Sequence, residues 1–217
     1  MTDVTAAPRR EVFEAEALGW LAANPAPPGA SVVTSLPDVT EVPLAFDAWR
    51  AWFRQSAEQI LRWVPDDGAA LFFQSDIRRE GAWVDKGYLV QRAAEDAGAH
   101  LLWHTIVCRR PAGTLSQGRA TYSHLLAFSR TLLPPRRPRP DVLPDAGAMS
   151  WPKAMGRNAC LLACSYLRDD TTTRLVVDPF CGHGTVLAAA NSLGLDAIGV
   201  DLSAKRCRIA RHFVLPA

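Results

Sequence analysis

The sequence has no C-x-x-C pair. Its five cysteines, Cys108, Cys160, Cys164, Cys181 and Cys207, are odd in number and scattered. That spacing excludes a disulfide framework and a paired-cysteine zinc site, and it predicts reduced thiols that mostly act as small buried hydrophobes. Cys160 and Cys164 stand four apart on an expected helix, but no histidine or second cysteine pair accompanies them, so no metal is expected. No apolar run is long enough to span a bilayer, and the opening MTDVTAAPRR lacks the apolar stretch of a secretory leader. A cytoplasmic location is the expectation. Charge of either sign is scarcely in excess: 24 basic against 22 acidic residues leave a net +2. Any polyanion must therefore be met by local patches, not by the protein's overall field.

Against these absences stands a 48% hydrophobic content over 217 residues, enough for one sizeable core. EVFEAEALGWLAAN reads as a brief strand and a helix ended by Asn24 and three prolines. SVVTSLPD is a β-rich run, and Phe46, Trp49, Phe53, Ile60, Leu61 and Val64 recur at helical spacing after it. AALFFQSD reads as a buried strand, and WVDKGYLVQRAAEDAG as a helix closed by Gly98. HLLWHTIVC and TYSHLLAFSR are strands with only the basic loop RRPAGTLSQGRA between them, which predicts an antiparallel hairpin at a sheet edge. A Pro-rich, non-periodic stretch follows, and then helix, strand, helix, strand, helix. The alternation implies an α/β fold, a doubly wound and mostly parallel sheet with helices on both faces. The expected organisation is a flexible tail over 1–9 and one domain over 10–217, with a Pro-rich surface loop at 131–152.

The stretch VVDPFCGHGTVLAAANSLGLDAIGVD carries the chemistry. A strand ends in Asp178, and a turn containing Gly182 and Gly184 leads into a helix, where backbone can approach a bulky ligand and free N–H groups point outward. Asp201, at the next strand end, can accept hydrogen bonds from ribose hydroxyls. The third glycine of G-x-G-x-x-G is missing, which argues against NAD. Asp-Pro-Phe-Cys-Gly-His-Gly-Thr resembles motif I of the class I S-adenosylmethionine-dependent methyltransferases, and more narrowly of the amino-methyltransferases of nucleic acids. The resemblance implies S-adenosylmethionine as cofactor, with Asp178, Pro179, Phe180, Cys181, Gly182, Gly184, Thr185 and Asp201 in its site. It places Glu16 on the adenine amino group and Asn158 on the helix that closes over the methionine end. It also implies a Rossmann-like seven-stranded sheet in circularly permuted order, cofactor motifs after the catalytic one, with the first strand beside the strand ending at Asp201.

One element of that family is absent here. Its catalytic tetrapeptide is Asp/Asn/Ser-Pro-Pro-aromatic; this chain has Ser35-Leu36-Pro37-Asp38. Ser35 and the Leu36 carbonyl can still accept from an amine, but the aromatic that would stack on a base is replaced by a carboxylate. Either another aromatic stacks on the acceptor, or Asp38 serves as a base or anchor, or Asp38 caps the next turn. The departure suggests an acceptor other than a plain amine in duplex DNA. Asp76, Arg78, Trp83 and Lys86 could face the substrate from a strand end, and Arg109 and Arg110 could bind phosphates. His104 and His124 read as core or edge residues. The Pro-rich stretch leaves no room for a folded DNA reader, so a nucleotide in structured RNA such as tRNA is the first expectation. A DNA amino-methyltransferase, a small-molecule methyltransferase and a non-catalytic RNA-binding subunit stay open, as does a partner protein or a homodimer.

Overall fold

The structure, a computed structural model, describes residues 7–151 and 153–215. The chain runs β1 (Arg10–Glu14), α1 (Ala17–Ala23), β2 (Ala30–Thr34), α2 (Phe46–Trp63), β3 (Ala70–Gln74), β4 (Ile77–Arg79), β5 (Ala82–Val84) and α3 (Lys86–Asp96). It continues with β6 (His100–Cys108), β7 (Tyr122–Ser129), β8 (Val142–Leu143), α4 (Arg157–Asp170), β9 (Leu175–Asp178), α5 (Thr185–Ser192), β10 (Asp196–Asp201) and α6 (Ala204–His212). One sheet has the order β1-β10-β9-β2-β3-β7-β6-β8, and β4-β5 form a separate ribbon. From β1 to β3 the neighbours are parallel; β7 is antiparallel to both β3 and β6.

Alternation along the buried strands divides the core. Val33, Leu71 and Phe73 face one way, with Cys160, Cys164, Leu187 and Cys207 of α4, α5 and α6. Val32, Ala70 and Phe72 face the other, toward Trp49, Phe53 and Ile60 of α2 and Leu89 and Val90 of α3. Burying both faces is what lets these strands read as near-continuous apolar runs. The fold is therefore the expected α/β sheet with helices on both sides. The sequence-based seven strands become eight, because Val142 and Leu143 add a short parallel strand outside β6. Part of the Pro-rich loop is thus pinned, not free surface. Ile106 N–H donates to the Asp141 carbonyl at 2.8 Å, and half-buried Arg139 lies over the Trp103 and Tyr166 rings while pairing with Asp170.

The chain's two ends meet at the β1 edge. The Arg9 backbone N–H and guanidinium both donate to Asp196, and Arg10 donates to Asn191 and to the Ala210 and Phe213 carbonyls. Arg9, placed in the tail from sequence, is held; residues 1–6 lie outside the described residues. The segment 77–84 differs most from expectation. Glu80 (φ 50°) and Gly81 (φ 85°) form a left-handed two-residue turn, so WVD completes a β-ribbon and the helix starts only at Lys86. Among the described residues, no helix is long and apolar enough to cross a membrane.

Candidate active site

β2 and β9 are parallel neighbours with Val32 opposite Val177, so the residues that follow them emerge on one rim. The Thr34 hydroxyl, last in β2, donates to Asp178 Oδ1 at 2.7 Å, last in β9. Ligands in open α/β sheets sit beyond the strand C-termini. Here that space is a cavity of about 620 Å³ whose wall includes Glu16, Ser35, Leu36, Pro37, Asp178 and Asp201.

On the turn side of the cavity, backbone donors are already arranged around carboxylates. Asp178 Oδ1 also accepts from Phe180 N–H at 3.1 Å. Asp201 accepts from Gly182 N–H (3.1 Å) and Ser203 N–H (2.8 Å), which locks the Gly-rich turn to the next strand end. A carboxylate has about four acceptor sites, so Asp201 retains capacity for a ligand. Glu16 caps α1, accepting from Leu18 and Gly19 N–H. Burial pushes the Asp178 carboxyl up to about 7; Thr34 and Phe180 oppose that shift, and the nearby Asp201 charge adds to it. Cys181 lines the cavity, but burial, then the Asp178 and Asp201 charges, push its thiol far up, so it is no nucleophile. Pro179, Phe180 and Thr185 complete this wall. Gly184 does not reach it: at φ 83° it caps α5, and a Cβ there would lie 2.9 Å from Ala210. Its glycine serves helix packing.

On the other side, the Pro37 carbonyl accepts from the Trp49 indole at 3.2 Å, which fixes the 35–37 segment to α2. Asp38 is off the cavity wall. Its Oδ1 accepts from Thr40 N–H at 3.1 Å, its own N–H donates to Glu41, and its Oδ2 lies 3.6 Å from Lys86 Nζ. That geometry is a turn cap with a buried counter-ion. Lys86 is 4% exposed, and burial holds its pKa below the ordinary lysine value, with Asp38 and Glu41 opposing. Trp52, absent from the sequence-based candidates, lines the cavity edge-on to Phe180 at 6.2 Å. Trp151, Lys153 and Arg206 also line it; Arg206 sits over the Trp151 ring and Lys153 reaches Glu41 at 3.5 Å. No periodic signal marks these four, which come from two helices and a loop.

Other sequence candidates fall outside the cavity. Asn158 donates to the Asp145 carbonyl. Asp76 accepts from Lys86 N–H, the Tyr122 hydroxyl and His124, and His124 meets His104 at 3.1 Å. Burial works against the Asp76 charge, but these donors outweigh it and hold its carboxyl below the usual range. Asp76, Asp85 and His124 offer ligand atoms within 4.8 Å of one another, yet Asp76 and His124 are bonded to each other, so the cluster is a hydrogen-bond network. Arg109 anchors to Ser75 at 3.2 Å, and Arg110 is exposed beside it. The cysteines other than half-buried Cys108 are buried, and all five are free.

The amino-methyltransferase family model (N6_N4_Mtase, described as DNA methylase) matches residues 161–212, the stretch from α4 through α6. The whole fold is similar to that of TTHA0409 of Thermus thermophilus, assigned as a DNA modification methylase. The TM-score is 0.70 at 19% identity over 94% of this chain and 92% of that one. It is similar also to PvuII DNA methyltransferase, cytosine-N4-specific (TM-score 0.76, 15% identity, 94% and 86% covered). The M1.HpyAVI–SAM complex shares it at TM-score 0.61, 15% identity, 93% and 97% covered. No curated protein sequence matches the chain.

The chain shares the fold of these solved methylases, of which TTHA0409 is also known in complex with S-adenosylmethionine, and its residues 161–212 match the DNA methylase family model. The cavity fits S-adenosylmethionine chemically. Four carboxylates, Glu16, Glu41, Asp178 and Asp201, line a space sized for a nucleoside-scale ligand, and acceptors are what an adenine amine, ribose hydroxyls and a sulfonium cation require. TTHA0409 and the PvuII enzyme are both DNA methylases by name, so the RNA expectation gains no support from them.

Proposed function

We propose that this protein is an S-adenosylmethionine-dependent methyltransferase that transfers a methyl group to an exocyclic amine of a base in DNA. The observation that carries the reading is the sharing of one cavity by Ser35, Leu36 and Pro37 with Asp178, Gly182 and Asp201. Bound S-adenosylmethionine supplies an electrophilic methyl and its own leaving group, so the protein's task is placement. Ser35 Oγ and the Leu36 carbonyl accept the two amine hydrogens, which turns the nitrogen lone pair toward the methyl. Pro37, held by Trp49, stiffens that segment. Trp52, edge-on to Phe180, offers the aromatic surface that Asp38 does not, so a flipped base finds a stacking wall from α2 in place of the tetrapeptide's own ring. Glu16, Asp178 and Asp201 hold the cofactor, with Pro179, Phe180, Cys181 and Thr185 against it.

The chain order supports a circularly permuted arrangement, since the Ser35 strand precedes the Asp178 strand by more than half the sequence while lying next to it. The DNA reading takes precedence over RNA because the family model and the solved methylases point the same way. The test is incubation of purified enzyme with methyl-labelled S-adenosylmethionine and genomic DNA, total RNA or metabolites from cells lacking it, followed by nucleoside mass spectrometry. N4-methylcytosine or N6-methyladenine in the DNA is expected. Label confined to RNA or to small molecules overturns the proposal.

A further inference from the structure

The β4–β5 ribbon stands outside the main sheet and is clamped at both ends. Asp76, just before it, is held by Lys86 N–H, Tyr122 and His124, and Asp85, just after it, caps α3 through Tyr88 N–H. Its register pairs Ile77 with Val84, Arg78 with Trp83, and Arg79 with Ala82. The period of two sorts these residues by face. Ile77 and Val84 pack on the α2–α3 core, and the Arg79 guanidinium lies 5.8 Å from the centre of the Phe46 ring. Phe46 opens α2, directly after the 35–45 segment that walls the cavity, so the ribbon adjoins the acceptor side.

The opposite face carries Arg78 and Trp83, cross-strand neighbours. Trp83 is 55% exposed, on a ribbon anchored through Asp76 and Asp85 at its two ends. A large aromatic held out in water by a rigid turn, with an arginine opposite, has a partner's chemistry written on it. The charge around it is basic. Glu80 is taken up by Arg79 at 3.3 Å, while Arg109, tied to Ser75 just before the ribbon, stands with exposed Arg110 and Arg119. These three are close enough that, after burial, the Arg119 and Arg110 charges lower the Arg109 pKa. Basic side chains interleaved with an exposed aromatic match phosphates and bases together.

We propose that the β4–β5 ribbon is the DNA-contacting element of this enzyme, with Trp83 stacking on a base next to the cavity mouth and Arg78, Arg110 and Arg119 taking the flanking phosphates. The inference rests on the DNA reading and adds the surface that engages it. A two-stranded ribbon is small enough to do this without a separate folded reader.

The experiment uses the full chain and a fluorescein-labelled mixed-sequence DNA, duplex and single-stranded, titrated at several salt concentrations. Trp83→Ala, Trp83→Phe and Arg78→Ala are compared with the wild type, with cofactor calorimetry and thermal melting alongside. Trp83→Ala is expected to weaken DNA binding about 10-fold, Trp83→Phe to retain most of it, and Arg78→Ala to reduce the salt slope by about one, all with wild-type cofactor affinity and melting. Wild-type methylation of DNA together with wild-type binding and salt slope in all three variants overturns the inference and leaves the DNA reading standing. A wild type that transfers no methyl to DNA removes both.

Discussion

The turn side and the acceptor side of the cavity are built by different means. On the turn side, Asp178, Gly182 and Asp201 belong to one continuous β9–α5–β10 unit, and apart from the Thr34 hydroxyl on Asp178 their hydrogen bonds run between carboxylates and backbone N–H groups. On the acceptor side, Ser35 to Pro37, Trp52, Lys153 and the β4–β5 ribbon are brought together from separate segments by side-chain contacts. A turn made from backbone geometry is hard to alter without losing it. A wall made from side chains can change its surface residue by residue, which suits a site that must bind one cofactor but a variable acceptor.

The largest effect should therefore come from the turn. Asp201→Ala removes the partner of two backbone donors and one of the four cavity acids. Leaving buried N–H groups unpaired costs about 1–3 kcal/mol each. A fall in melting temperature and at least a ~100-fold loss of cofactor affinity by calorimetry are expected; unchanged affinity would break the contrast between the two sides. Next, Ser35→Ala should lower kcat about 10- to 100-fold while cofactor affinity and melting stay at wild type, since the hydroxyl acts only on the acceptor. Trp52→Ala should raise KM for DNA more than it lowers kcat, because stacking binds the base before and during transfer alike.

Asp178 sharpens the comparison through pH. Its carboxyl is raised to about 7 in the folded protein from an ordinary value near 3.8. A raised carboxyl stabilises the fold in its protonated form, so that contribution is complete below about 4 and is lost as pH rises to about 7. A cation in the cavity favours the ionised form, so binding of the sulfonium donor should release protons near neutrality and tighten as pH passes upward through about 7. Calorimetry in buffers of different ionisation heat reads the proton count. The demethylated product, which lacks the sulfonium charge, should show a smaller pH dependence, and Asp178→Asn should flatten the donor's curve.

The same contrast explains how much the sequence discloses. The Asp178 turn and the two-sided core were legible because local spacing specifies them: an apolar run, an acid, two glycines, a helix; the β1–β10 pairing came only through the family resemblance that turn carries. The β4–β5 ribbon was not, since its turn is Glu80-Gly81 without the Asn-Gly or Asp-Gly signal, and WVD beside a helical stretch reads as the helix's first turn. Trp52, Trp151, Lys153 and Arg206 reach the cavity only through tertiary packing. Arg139, on the Pro-rich stretch expected as surface loop, is instead half-buried over Trp103 and Tyr166, which no charge pattern distinguishes from an exposed neighbour.

The smallest expected effect is at the position where this chain departs most visibly from the family's tetrapeptide. Asp38 points its carboxylate at Thr40 N–H and at Lys86, not into the cavity. Asparagine keeps an oxygen for the Thr40 N–H and loses only the charge opposite Lys86. If Asp38 is a cap, Asp38→Asn should change kcat less than about 3-fold. The lost counter-charge leaves buried Lys86 less favourable as a cation, so melting should drop more at low pH than at high pH. If Asp38 is instead the base for a different nucleophile, the same substitution should cost kcat about 100-fold or more and abolish the acidic limb of its pH profile. Double substitution with Lys86→Met decides between them: a cap and its counter-ion should recover stability together, whereas a missing base cannot be restored by removing its neighbour.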